Sequence, residues 1–500
     1  MKNILEFIEK DARLYPDKAA FVDENGQISY SGLLQQARAI GSRLCELEQM
    51  NSPVAIYLDK TVKLPAAMFG IVYSGNFYVV IDSEMPVERI DKIFSTLNPV
   101  AIVTDDKYYE NALKLNINKV YKFDELVHES VNDSALERVR SLQIDTDPLY
   151  ALYTSGSTGV PKGAVLSHRN VIAYSEWVTN CFGIDENTVF GNQTPFYFSM
   201  SVTDIYSTVR KGATLVIIPK QFFTFPIKLV EFLNQYKVNT IYWVPSAMSI
   251  VANLKLFKFA KPEYLKTVLF AGEVMPTKQL NYWIENLDSS IVYANLYGPT
   301  ETTDICTYYV VDRSFNDDEP LPIGRHCDNC NVVIVNEKGE RAKVNEEGEL
   351  FVRGSFLSSG YYNNPEKTAA AFVQNPLNTA YPEKVYKTGD LVKENDRGEI
   401  MYICRKDYQI KHMGYRIELG EIEAAASACE GMQESVCVYD DENDKIVLIY
   451  SARKTNDEKI MQELSQKLNS YLLPNRLIKM AQLPHNQNGK IDRKKLKEMI

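Results

Sequence analysis

Between Val54 and Val310 short apolar runs rich in β-branched and aromatic residues alternate with polar or amphipathic stretches. The runs are PVAIYL, FYVVID, VAIVTD, ATLVIIP, NTIYWVP, KTVLFAG and SIVYANLYG. Segments of this length that are apolar on both faces predict strands buried in largely parallel sheets, with the amphipathic stretches as crossover helices. After Pro320 the texture changes to shorter, turn-punctuated runs, CNVVIVNEKGERA, GELFVRG and GEIMYICRK, which predict hairpins or a small β-barrel-like part. Beyond Asp407 come YQIKHMGYRI, a helix from about Leu419, a hairpin in SVCVYDDENDKIVLIYSA, and a helix with Ile460, Leu464 and Leu468 at four-residue spacing. The pattern predicts an α/β chain. A large N-terminal domain over 1–406 holds parallel-rich sheets with helices and the barrel-like part, and a small α+β domain fills 407–500.

Composition narrows the class. The 500 residues are 45% hydrophobic and 24% charged, as in a globular chain long enough for more than one core. A net charge of −10 argues against nucleic acid or an anionic membrane as the main partner. The start, MKNILEFIEKDARLYPDKAAF, places Glu6, Glu9 and Asp11 where a signal peptide needs an unbroken apolar core. The most apolar stretch, AAMFGIVYSGNFYVVID, is broken by Ser74, Gly75 and Asn76, too soon for a membrane span, so the expected location is cytoplasmic. The eight cysteines are scattered, and the one close pair, Cys327 and Cys330 in CDNC, is expected to be reduced.

Candidate chemistry begins at Tyr153 to Gly163, YTSGSTGVPKG, directly after the strand LYALYT. Its glycines let backbone N–H groups face an anion, and Thr154, Ser155, Ser157 and Thr158 add hydroxyl donors. It is not a Walker loop, because Pro161 precedes Lys162 and Gly163 follows it. Five further motifs follow in order: NLYGPTETT, GELFVRG, YKTGDL, RKDYQIKHMGYRIELGEIE and NGKIDR. Together they resemble the adenylate-forming superfamily nearly end to end. YGPTE and NGKIDR look most like the adenylation domains of nonribosomal peptide synthesis and the stand-alone D-alanine:carrier-protein ligases.

The resemblance implies two half-reactions with ATP and Mg²⁺ as cofactors. A carboxylate attacks the α-phosphate of ATP to give acyl-AMP and pyrophosphate, then a phosphopantetheine thiol takes the acyl group. By the same resemblance Thr154, Ser155, Gly156, Ser157, Thr158, Gly159 and Lys162 hold the β- and γ-phosphates. Lys490 bridges the substrate carboxylate and the α-phosphate, and Glu301 is the Mg²⁺ ligand, one carboxylate plus phosphate oxygens being the usual way to hold this ion. Asp390 would bond both ribose hydroxyls with Arg405 nearby, Tyr297 and Tyr402 would stack on adenine or ribose, and Asn295 would read the adenine amino group. Asp407 matches the hinge about which the small domain rotates, and Gly414 would let the pantetheine arm pass close to the backbone. One departure is Cys404, which stands where the family usually has glycine.

The acid is the open question. Ser199, in FYFSMSVTDIY, stands where the family's aspartate pairs with an α-ammonium, which makes ordinary α-amino acids less expected. The other pocket positions are Met200, Thr203, Tyr242, Leu269, Ala271, Leu296, Asp304 and Ile305, mostly apolar with one carboxylate. A hydroxybenzoate whose phenol donates to Asp304 is the first expectation, and a β- or ω-amino acid pairing with Asp304 the second. The chain ends ten residues after Lys490, so the expected acceptor is a separate acyl or peptidyl carrier protein. The alternatives are a D-alanine or other amino acid:carrier-protein ligase, an acid:CoA ligase, and an inactive scaffold.

Overall fold

The computed structural model describes residues 1–154, 161–406, 409–453, 455–485 and 491–500. Contacts divide it into two units: Met1–Ser83, Asn98–Leu152 and Gly163–Cys404 form the first, and Glu84–Leu97, Tyr153–Lys162 and Arg405–Ile500 the second.

The first unit is built on the apolar runs. Strands Pro53–Tyr57, Phe77–Val80 and Ala101–Thr104 pair in parallel within a seven-stranded sheet. Thr214–Ile217, Val189–Asn192, Thr240–Trp243, Thr267–Phe270 and Val292–Tyr297 follow one another in parallel within a nine-stranded sheet. Nearly every position of these strands is buried, which is what helices on both faces of a parallel sheet require. The run after Pro320 forms a five-stranded sheet in which Cys330–Val335, Gly348–Gly354, Phe372–Gln374 and Lys384–Glu394 pair antiparallel. Its last strand, Ile400–Arg405, runs on through Cys404, whose side chain is exposed. Cys327 and Cys330 are free, buried thiols flanking a turn in which Asn329 has φ +60°.

In the second unit, hairpin Gln409–His412 and Tyr415–Glu418 turns through Met413 and Gly414, both at positive φ. This is the backbone of a tight hairpin whose twist matches its strands. Met432–Asp440 pairs antiparallel with Lys445–Ala452, which pairs in parallel with Arg476–Lys479. The two-residue period splits this sheet cleanly. Cys437, Ile446, Leu448 and Tyr450 pack on one side with Ile460, Leu464 and Leu468, while Val436, Val438, Val447 and Ile449 pack on the other with Leu483 and Leu496. Helix Val87–Leu97 joins this unit through Arg89, which makes a buried ion pair with Glu421 of helix Leu419–Ser427. Among the described residues no helix is long and apolar enough to cross a membrane.

Candidate functional site

Parallel strands open their carboxyl ends at one edge of a sheet, and that edge is where such folds hold ligands. Here it carries Asn192, Tyr242, Leu269 with Ala271 just beyond, and Asn295 to Tyr297. Asn192 opposes Tyr242, and Leu269 opposes both Tyr242 and Ala294, so the pocket positions lie on neighbouring strands. Helix Met200–Lys211 begins beside them and brings Met200 and Thr203 on its first turn, with half-buried Ser199 just ahead.

The strand Val292–Tyr297 and the turn after it carry most of the polar groups. Asn295 donates its Nδ2 to the carbonyl of Pro322 at 2.8 Å. The Tyr297 hydroxyl donates to Asp390, which is 3% exposed, and the Tyr402 ring lies 6.4 Å from the Tyr297 ring. Asp390 itself sits on a bulge: between the pairs Glu349 with Leu391 and Phe351 with Lys387, one residue faces Thr388, Gly389 and Asp390. Gly389 takes φ +78° there, and Thr388 Oγ1 accepts from Asp390 N at 3.0 Å. A bulge of this kind re-aims a side chain that the regular pleat would point elsewhere.

The turn Gly298–Asp304 is tightly constrained. Thr303 has φ +71° and ψ −59°, and Asp304 N donates to Thr302 O at 2.9 Å, a γ-turn in a β-branched residue. Such backbone costs about 1–3 kcal/mol and persists only where surroundings hold it. Thr303 Oγ1 is anchored on Phe356 O at 2.8 Å. The kink lets two carboxylates three residues apart both point inward. Glu301, fully buried, accepts from the Tyr361 hydroxyl at 2.7 Å. Tyr361 comes from the short strand Gly360–Tyr361, paired with Lys162–Ser167, the strand that leaves the glycine-rich loop.

Asp304, 1% exposed, turns to the other side. Its Oδ2 lies 2.9 Å from Thr203 Oγ1, 3.0 Å from the Tyr174 hydroxyl and 3.1 Å from the Tyr242 hydroxyl, and Ser199 also bonds it. Burial pushes its carboxyl up to about 6, and the four hydroxyls pull the other way. Met200, Leu269, Ala271, Leu296 and Ile305 are buried and apolar.

Next to this cluster is a second buried group. Asp204 Oδ2 accepts from Asn192 Nδ2 at 2.6 Å, and burial pushes Asp204 up to about 8. Lys60 Nζ donates to Gln193 O at 3.0 Å, and burial lowers it to about 7.

The structure thus brings Tyr297, Asp390 and Tyr402 together, with Asn295 two residues before Tyr297 on the same strand, and separately gathers Thr203, Tyr242, Asp304 and Ser199. Thr154 and Lys162 face each other across the ends of the glycine-rich loop, with Thr154 Oγ1 3.5 Å from Lys162 O. Arg405 closes strand Ile400–Arg405. Ser155, Gly156, Ser157, Thr158, Gly159, Asp407 and Lys490 lie outside the described residues. Tyr174, Tyr361, Asn192, Asp204 and Lys60 were not legible as site residues, because each reaches its partner from a different element.

The chain is 31% identical to a D-alanine–D-alanyl carrier protein ligase of Lacticaseibacillus rhamnosus, across 99% of this chain and 98% of that protein. It is 30% identical to tyrocidine synthase 1 of Brevibacillus parabrevis, across 99% of this chain and 45% of that protein. Its fold matches the Vibrio cholerae adenylation domain AlmE, solved with glycyl-adenosine-5'-phosphate, at a TM-score of 0.84 and 21% identity over 99% and 97% of the two chains. The AMP-binding enzyme family matches residues 8–362, and the chain therefore belongs to that family of ATP-dependent, acyl-adenylate-forming ligases.

Proposed function

We propose that this ligase activates a small carboxylic acid as its adenylate and passes the acyl group, as a thioester, to the phosphopantetheine of a separate acyl or peptidyl carrier protein. The observation that carries the reading is the strand end and strained turn from Asn295 to Asp304, which aim nucleotide-reading, metal-holding and acid-reading groups inward within ten residues. The D-alanyl carrier protein ligase, matched over nearly its whole length, supports the acceptor.

The residues fit the groups this chemistry needs. The Pro322 carbonyl fixes the Asn295 amide so that Oδ1 is its acceptor, the polarity an adenine amino group requires. Asp390, oriented by Tyr297, is a buried acceptor suited to ribose hydroxyls, with Arg405 fifteen residues on in the sequence and the Tyr402 ring, tilted against Tyr297, available to the nucleotide. Glu301 is a buried hard oxygen donor for Mg²⁺; among the described residues no larger His, Cys, Asp or Glu cage gathers, and an ion held mainly by phosphate oxygens needs none. ATP supplies the adenylyl group, and Mg²⁺ offsets triphosphate charge. Thr154 to Gly159 and Lys162 hold phosphates, Lys490 brings the two anions together, and Asp407 is the hinge between domains 1–406 and 407–500. Burial of Glu301, Asp304 and Asp390 strengthens the contacts these three carboxylates make. A cytoplasmic location belongs to the same proposal.

Ser199, Met200, Thr203, Tyr242, Leu269, Ala271, Leu296, Asp304 and Ile305 receive the acid. A hydroxybenzoate donating to Asp304, a β- or ω-amino acid, and D-alanine are the acids these residues and the relative suggest. The test is mass spectrometry of a phosphopantetheine-loaded carrier protein incubated with enzyme, ATP, Mg²⁺ and each acid, with CoA as the competing acceptor. An acyl mass on the carrier is the expected result. Acyl-CoA with an unmodified carrier would replace this reading with an acid:CoA ligase.

A further inference from the structure

The hydroxyl cluster around Asp304 says more about the acid than its position alone. We infer that the substrate carries an ammonium seated against Asp304, and that Tyr174 is a specificity-determining residue that positions this carboxylate. The inference rests on the ligase reading above.

Four oxygen contacts meet at one place. Thr203, Tyr174 and Tyr242 each approach Asp304 Oδ2 within 2.9–3.1 Å, and the Tyr174 and Thr203 hydroxyls are themselves 2.5 Å apart. With Ser199, which also bonds Asp304, four hydroxyl protons serve five contacts, so the cluster with an ionised Asp304 is one donor short. No cation pairs with Asp304 among the described residues. A buried carboxylate in that condition is costly until an opposite charge arrives. A phenol would bring one proton and leave the charge uncompensated. An ammonium brings the N–H donors and the charge together, and Met200, Leu269 and Leu296 leave the rest of the acid in apolar surroundings.

Tyr174 is held for this task. It projects from helix His168–Cys181, fully buried, with its ring 5.4 Å from Phe356 edge-on and 5.7 Å from Trp177. The titratable groups facing Asp304 are Tyr174, Tyr242 on strand Thr240–Trp243, Tyr150 on strand Pro148–Thr154, and Asp204 one residue beyond Thr203. None supplies positive charge.

The test compares acids that differ only in the amine, by pyrophosphate exchange on the wild-type enzyme: glycine, D-alanine, L-alanine and β-alanine against acetate and propionate, with 4-hydroxybenzoate and benzoate alongside. The best amine-bearing acid is expected to exceed its amine-free counterpart by about a hundredfold or more in kcat/KM, the usual scale for a desolvated ion pair. Asp304→Asn should remove that preference. Tyr174→Phe withdraws one hydroxyl from the ionised carboxylate, so the pH at which amine-bearing acids lose activity should move upward. Equal or better exchange with amine-free or aryl acids would overturn the inference while leaving the ligase reading intact, and an unmoved pH midpoint in Tyr174→Phe would overturn the role of that residue. No exchange with any acid would overturn the ligase reading and this inference with it.

Discussion

Asp204 offers a quantitative test of how the floor of the site is built. Its Oδ2 accepts from Asn192 Nδ2 at 2.6 Å, while Asp204 Oδ1 and Asn192 Oδ1 are both buried without a hydrogen-bond partner. Both acceptors would be satisfied at once by a protonated carboxyl that donates to the amide oxygen, closing an acid–amide ring. Burial pushes Asp204 from 3.8 up to about 8, which is the proton this ring needs. A group whose folded pKa is raised contributes stability that is full below about pH 4 and is lost as pH rises through 8. At pH 7 the unfolded aspartate is ionised, so taking up the proton costs about 4 kcal/mol at ~1.4 kcal/mol for each pH unit. Asp204→Asn keeps the shape and supplies an N–H in place of the O–H. Allowing about half for repacking and the denatured state, the variant should gain about 2 kcal/mol at pH 7, a rise of about 2–3 °C in Tm for a unit of this size. Thermal denaturation at pH 5, 6, 7 and 8 would show the gap between variant and wild type widening with pH. A variant that is less stable throughout, or a gap that ignores pH, would refute the neutral ring.

Other outcomes follow from the same geometry. At Gly298 an added Cβ would lie 2.2 Å from Asp304 O and 2.6 Å from Ile305 Cα, so Gly298→Ala should displace the turn and cut kcat/KM for the acid by at least about tenfold, with a lowered Tm. Tyr297→Phe removes one buried donor from Asp390 and should raise the KM for ATP by about tenfold with the acid KM little changed, measured in exchange kinetics. His168, 1% exposed and lowered by burial to about 3, accepts from Ile4 N, so its contribution to stability is full above pH 6.5 and is lost as pH falls toward 3; His168→Gln should flatten the acid limb of a Tm-against-pH curve.

The sheets were readable because their strands are short, continuous apolar runs rich in β-branched and aromatic residues: Thr240–Trp243 and Thr267–Phe270 lie within NTIYWVP and KTVLFAG. The small unit's helix Asp457–Lys467 was readable from Ile460 and Leu464, both fully buried. The polar centre was only partly readable. Asp304 could be named as a pocket position, but its ring of hydroxyls comes from Tyr174, Ser199, Thr203 and Tyr242, which no periodicity links. The aim of Asp390 depends on a bulge, and that of Asp304 on a γ-turn in a threonine, a residue that local preference would not place at φ +71°. Nor does any local signal place helix Val87–Leu97 with the C-terminal segment, since Arg89 finds Glu421 across 332 residues of chain.

The central claim is that this chain activates a carboxylic acid on ATP, and acid-dependent exchange of labelled pyrophosphate into ATP measures that step alone. The account predicts exchange that requires Mg²⁺ and one class of acid, saturates with that acid, and is abolished in Glu301→Gln and Lys490→Ala. Wild-type protein that binds ATP yet shows no exchange with any acid would contradict it, and exchange that persists unchanged in both variants would contradict the roles given to Glu301 and Lys490.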